Sequence, residues 1–157
     1  MVFSRRLLRF GAAMLSVGLL AQMPAPKHAQ AADDRPGGLV VLRPWSPPTP
    51  PAATVGVVYF SIANQGARAD RLLDISSPVA RKVEVHETRM EGGMVGMRPV
   101  TSVEVPAGST VRSEPGGLHA MLIGLAHPLM AGTDFPLSLH FRDAGVIGVK
   151  VVVASRE

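Results

Sequence analysis

Short runs of alternating apolar and polar residues, each closed by glycine or proline, constrain this chain to an antiparallel β fold. The clearest run is Phe135 to Phe141 (FPLSLHF), where Phe135, Leu137, Leu139 and Phe141 fall on one face. Lys82 to Thr88 (KVEVHET) alternates as cleanly, with Val83 and Val85 on one side and Lys82, Glu84, His86 and Thr88 on the other. Val55 to Ala63, Arg71 to Ser76, Leu118 to Leu125 and Val146 to Ala154 read as further strands. Shorter ones are expected at Leu39 to Arg43, Arg98 to Val105 and Ser109 to Arg112. Asn64-Gln65-Gly66, Ser77-Pro78, Ala107-Gly108 and Pro115-Gly116-Gly117 supply turns between them. No stretch after the first thirty or so residues carries a convincing helical period. Roughly seven to nine short strands in one domain predict an all-β, antiparallel sandwich. Pro44 to Pro51 (PWSPPTPP) is expected to be neither helix nor central strand. Trp45 inside it reads as an aromatic plug on the core or a lid at one end, with a place beside a metal as the lesser reading.

The first residues follow a different logic. Arg5, Arg6 and Arg9 precede an apolar run from Phe10 to Ala21, and Ala29-Gln30-Ala31 follows it. That is the three-part layout of a secretory signal peptide, with cleavage expected after Ala31. The apolar run is too short to span a bilayer as a helix. Ser4-Arg5-Arg6-Leu7-Leu8 also resembles a twin-arginine export signal, so both export routes stay open. The domain reading is therefore a signal peptide over 1–31 and a folded domain over 32–157, with 32–38 (ADDRPGG) a flexible leader. The expected destination is outside the cytoplasm, in a compartment that allows disulfides. Charge follows the same division. The chain carries 16 Lys+Arg and 12 Asp+Glu. Arg5, Arg6, Arg9 and Lys27 lie in the signal, which holds no acidic residue, so the mature domain has as many basic as acidic side chains. A nucleic-acid partner and stable membrane insertion of the mature domain are both unsupported.

No cysteine is present. Disulfides, thiol nucleophiles, iron–sulfur clusters, thiolate zinc sites and cysteine-ligated blue or binuclear copper centres are excluded together. No nucleophile–base pair, paired-carboxylate motif or phosphate loop stands out, so no enzymatic activity is expected.

The chemistry concentrates between His86 and Met121. His119 and Met121 are two apart on one strand, so both point to the same face, while Ala120 and Leu122 point into the core. His86 adds an imidazole from another strand. Met97, with Met90 and Met94, adds thioethers from a glycine-rich connection, Met90 to Met97 (MEGGMVGM), read as a hairpin turn. Imidazole plus thioether suits a soft ion, above all Cu(I). Thioether sulfur has no proton to lose and forms no disulfide, which suits an oxidising compartment. Met130 is read as core filling and His127 and His140 as ordinary polar residues. Glu87 and Arg98 flank the candidate ligands and are read as a partner contact or as solvated surface. Whether Met90 or Met94 also binds stays open at this level.

The spacing of these residues resembles the periplasmic copper chaperones called PCu(A)C. Their signature is a histidine, ten residues, a methionine, twenty-one residues and His-x-Met, which His86, Met97, His119 and Met121 reproduce. Flanking segments YFSIANQG, DRLLDISSPVA, VEVHET, MRPV, GGLHAMLIGL and PLMAG look like the family as well, over about residues 40 to 153. The resemblance implies a cupredoxin-like antiparallel Greek-key β-sandwich that binds one Cu(I) through those four side chains. It implies delivery of copper to the binuclear copper site of cytochrome c oxidase, with the oxidase copper-site subunit and a Sco-type copper protein as partners. A periplasmic copper storage or resistance protein is the alternative. Some members carry a second site in a His/Met-rich tail; this chain ends VVVASRE.

Overall fold

The computed structural model describes residues 36–155. The expected signal peptide and the first residues of the expected leader lie outside them. Ten strands follow a short 3-10 turn at Pro36–Gly38. They are β1 Leu39–Ser46, β2 Val55–Asn64, β3 Asp70–Ser76, β4 Ala80–Glu91, β5 Met94–Pro99, β6 Val103–Val105, β7 Thr110–Arg112, β8 Leu118–Leu125, β9 Asp134–Phe141 and β10 Gly145–Val153. Among the described residues no helix is long and apolar enough to cross a membrane.

The strands run in the order β5-β4-β8-β2-β1-β10-β9-β3-β6, with β7 paired to β2. β2 is the pivot. Its first residues, Val55 to Val58, pair with β8, and its last, Ser61 to Ala63, pair with β7. The sheet is thereby divided into a β5-β4-β8-β2 wing and a β1-β10-β9-β3-β6 wing. Apolar residues of both wings meet in one core. Val83, Ala120 and Leu122 from the first wing share it with Leu72, Ile75, Leu137, Leu139, Val151 and Val153 from the second. In β9 the expected alternation holds to the residue: Phe135, Leu137, Leu139 and Phe141 are all buried. His140, on the other side, meets the Ser76 hydroxyl at 3.2 Å.

Several expectations need correcting. The prolines from Pro44 do not end β1. Leu42 pairs with Ser61 and Trp45 with Tyr59, so three steps on β1 match two on β2. The extra residue is a bulge, with Arg43 at a φ of 48°. Pro44 lies inside this break in the ladder, and β1 continues through Ser46 between β2 and β10. The β1–β10 pair is also parallel, whereas every other pair among the described strands is antiparallel. The two strands come from opposite ends of the domain, so no hairpin dictates their direction. Pro36–Gly38 is tied to the domain rather than loose, because the Gly38 carbonyl accepts the Gln65 amide at 2.8 Å. A Cβ on Gly38 would stand 2.7 Å from the Gly66 nitrogen, so glycine is required there. Met130 is 67% exposed and fills no core. The Met90 to Met97 connection is mostly strand. Only Gly92 and Gly93 form the turn, both at positive φ as a two-residue hairpin loop of the I′ kind needs.

Buried polar side chains fasten the far end. The Asp70 carboxylate accepts the amides of Arg71, Asp143 and Ala144 at 2.6 to 3.0 Å. The Asn64 amide donates to the carbonyls of Arg68 and Val105 and its oxygen accepts the Gly66 amide. These contacts tie the turns after β2 and β9 to strands β3 and β6.

Candidate metal centre

The outer face of the β5-β4-β8-β2 wing carries the His/Met residues in neighbouring rows. His86 on β4 stands directly opposite His119 on β8. Glu84 stands opposite Met121, which in turn faces Val57 of β2. Thr88 stands opposite Met97 of β5. Because side chains alternate along each strand, His86, Met97, His119 and Met121 all project from one face. Val83, Ala120 and Leu122 project from the other face into the core.

The turn before β8 prepares the first imidazole. Glu114-Pro115-Gly116-Gly117 closes through the Gly117 amide donating to the Glu114 carbonyl at 3.0 Å. Proline in its second position and Gly116 at a φ of 80° in its third make it a type II turn. The Gly117 carbonyl accepts the Thr88 amide at 3.1 Å and also meets His119 Nδ1 at 3.0 Å. A carbonyl only accepts, so Nδ1 carries a proton, and in the neutral ring Nε2 is the nitrogen with the lone pair. This is how a ligating imidazole is usually oriented, by a backbone acceptor on its other nitrogen. His119 is only 7% exposed.

The second imidazole packs beside the first. The rings of His86 and His119 are stacked, with centroids 6.1 Å apart and planes 22° from parallel. His86 Nε2 lies 3.6 Å from Glu84 Oε2, an electrostatic contact longer than a hydrogen bond. Glu84 is itself paired with Lys82, and that hydrogen bond holds its carboxyl below the usual carboxylate range. His86 Nδ1 is buried and has no hydrogen-bond partner. An orphaned ring nitrogen costs about 1–3 kcal/mol unless something accepts it. An electron-pair acceptor such as a metal ion would satisfy it.

Met97, His119 and Met121 line one cavity of about 420 Å³; His86 stands next to His119 without reaching its wall. Pro47 to Pro50 form the opposite wall. This proline segment is pinned by Thr49, whose amide donates to the Leu129 carbonyl and whose hydroxyl accepts the Leu129 amide, both at 2.9 Å. Val55, Val57 and Tyr59 make the floor apolar, and burial pushes the Tyr59 phenol up. Trp45 packs on Tyr59 at 5.0 Å between centroids. It therefore buttresses the floor and is not one of the buried core residues. The composition of the run signals only rigid, extended chain; that it would face the His/Met side depends on the β1 bulge.

Among the described residues no three His, Cys, Asp or Glu side chains form a group able to hold a metal ion. On this face the donors beside the two imidazoles are the thioethers of Met97 and Met121. Two neutral imidazoles and two thioethers carry no charge, which disfavours hard divalent ions and suits a soft monovalent one. Met94 pairs with Glu91 and lies on the opposite face of the β4–β5 hairpin, away from this set. His127 and His140 are elsewhere as well. Glu87 pairs with Arg89 at 2.8 Å and Arg98 with Glu91 at 2.5 Å, so both sit in exposed ion pairs.

The fold and the family now have counterparts. The family model "Putative lipoprotein LpqE-like" matches residues 39–153. The chain is 31% identical over 129 residues to "Putative lipoprotein Lxx21020" of Leifsonia xyli subsp. xyli, covering 82% of this chain and 76% of that one. Among solved structures, the "Copper-bound PCuAC domain from PmoF2" superposes with a TM-score of 0.65 at 23% identity, covering 76% of this chain and 95% of its own. The "Solution structure of CuI-DR1885 from Deinococcus Radiodurans" superposes with a TM-score of 0.61 at 26% identity, covering 83% and 86%. The expected cupredoxin-like sandwich is the architecture these domains share with this chain. With its β wings, its core and its match across residues 39–153, this chain belongs to the LpqE-like family, of the PCu(A)C type.

Proposed function

We propose that this protein is an exported copper chaperone that binds one Cu(I) through His86, Met97, His119 and Met121. The observation that carries the reading is the strand register. It sets two imidazoles opposite one another, 6.1 Å apart, with both methionines on the same face. The hydrogen bond at His119 Nδ1 and the unpartnered Nδ1 of His86 support it, since each ring then has a nitrogen to offer. The 26% identity to a protein solved in its Cu(I) form supports the choice of metal. Such a protein binds and releases its ion without catalysing a reaction. Uncharged ligands on a partly open face favour hand-over, because a partner's donors can replace them one at a time.

Delivery to the binuclear copper site of cytochrome c oxidase, with a Sco-type copper protein alongside, is the physiological role we propose. The periplasm is its location. Titration of the mature protein with Cu(I) against a competing chelator tests the binding. One tight equivalent is expected, weakened by a large factor in Met97→Leu and in Met121→Leu. Unchanged affinity in both variants would refute the ligand set. A deletion strain tests the role: an oxidase defect at low copper supports delivery, and sensitivity only at high copper supports storage instead.

A further inference from the structure

The β4–β5 hairpin carries a thioether that the four proposed ligands do not use. Met90 is 75% exposed near the end of β4, and Met97 is 60% exposed on β5. Met90 pairs with Val95, and Thr88 with Met97, so Met90 and Met97 are diagonal neighbours on the same face. Diagonal pairs lie about 7–8 Å apart, within reach of long side chains. That face is the one bearing His86 and His119, because Met90, Thr88 and His86 alternate along β4. Met94 faces Glu91 and lies on the reverse side, equally exposed at 75%. The Gly92-Gly93 turn fixes the hairpin register and so keeps the two faces distinct.

Large apolar side chains are normally withdrawn from water, and an exposed cluster of them marks an interaction site. A flexible thioether is also the donor best able to follow a moving soft ion. We infer that Met90, together with Met97, forms an outer landing site for Cu(I), from which the ion passes inward to His119 and Met121. The inference rests on the copper reading above. Each step is ligand exchange at constant oxidation state. A sulfur–copper bond to Met90 breaks as a bond to an inner nitrogen or sulfur forms, and no proton or electron is transferred. Met97 belongs to both the outer and the inner set. It lines the cavity with His119 and Met121 and also stands diagonal to Met90. Met90 is thus a residue for the rate of loading and release, not for the final affinity.

The test is stopped-flow transfer of Cu(I) from its bicinchoninate complex to the protein, under anaerobic conditions, followed by loss of the chelator's colour. Met90→Leu is expected to slow transfer several-fold while leaving the equilibrium affinity unchanged. Met94→Leu, with the same exposure on the other face, is expected to change neither. Equal rates for Met90→Leu and Met94→Leu would overturn the inference, and so would a loss of equilibrium affinity in Met90→Leu. His119→Ala in the same assay separates the two readings. If it also retains full affinity, the copper site itself has failed; if it loses affinity while Met90→Leu transfers at the normal rate, only the outer site has failed.

Discussion

His86 and His119 face each other across adjacent strands with their rings stacked 6.1 Å apart, and the two rings have different neighbours. The Gly117 carbonyl holds His119 through Nδ1, while the Glu84 carboxylate lies on the Nε2 side of His86. His119 has one ring nitrogen in a hydrogen bond, whereas His86 Nδ1 is buried without a hydrogen-bond partner. The pair is asymmetric although the strand register is not.

The proposed pairing of imidazoles with thioethers has a spectroscopic consequence. X-ray absorption at the copper edge of the loaded protein should show both nitrogen and sulfur neighbours. His86→Ala and His119→Ala should each remove nitrogen scattering and leave sulfur in place. Retention of the full nitrogen shell in both variants would exclude the imidazoles as ligands.

Gly116 supports the site from outside it. At a φ of 80° it is required by the type II turn that presents the Gly117 carbonyl. Gly116→Ala should destabilise the domain by about 1–2 kcal/mol, since a Cβ disfavours the left-handed region. It should also weaken Cu(I) binding, because the acceptor that orients His119 moves. Urea unfolding and chelator competition measure the two effects separately. A destabilised variant with full affinity would detach the turn from the site.

The core predicts a contrast within the second wing. Leu139 on β9 is fully buried, whereas Leu73 on β3 is half-exposed. Leu139→Ala should cost about 2–5 kcal/mol in chemical denaturation. Leu73→Ala should stay within about 0.5 kcal/mol of the parent. Similar losses at both positions would contradict the assignment of faces in β3 and β9.

Acid dependence is expected at the β9–β10 turn. Arg142, hydrogen-bonded to Asp143, holds its carboxyl below the usual carboxylate range. A lowered folded-state value contributes stability that is fully present above the unfolded value, about 3.9. That contribution is lost as pH falls through the lower folded value. Arg142→Gln should raise the Asp143 midpoint toward the ordinary one in a carboxyl-carbon NMR titration. Stability at neutral pH should hardly change, because the pair is exposed. An unmoved midpoint would remove Arg142 as the cause.

Much of this protein was legible before any fold was known. Alternation in KVEVHET and FPLSLHF assigned faces, because the period of two is a property of the strand itself. The absence of cysteine and the His-x-Met spacing narrowed the chemistry to nitrogen and thioether donors. Three things were decided only by tertiary contacts. The proline run entered the sheet as far as Ser46 and walled the cavity with Pro47 to Pro50, because a bulge absorbed one residue and Leu129 pinned Thr49. Met97 joined the face of the histidines because a two-glycine turn made its segment a strand instead of a loop. His119 acquired its tautomer from a carbonyl on the preceding turn. Register, closure and hydrogen-bond partner depend on which distant segments share a row, and local residue order does not encode that.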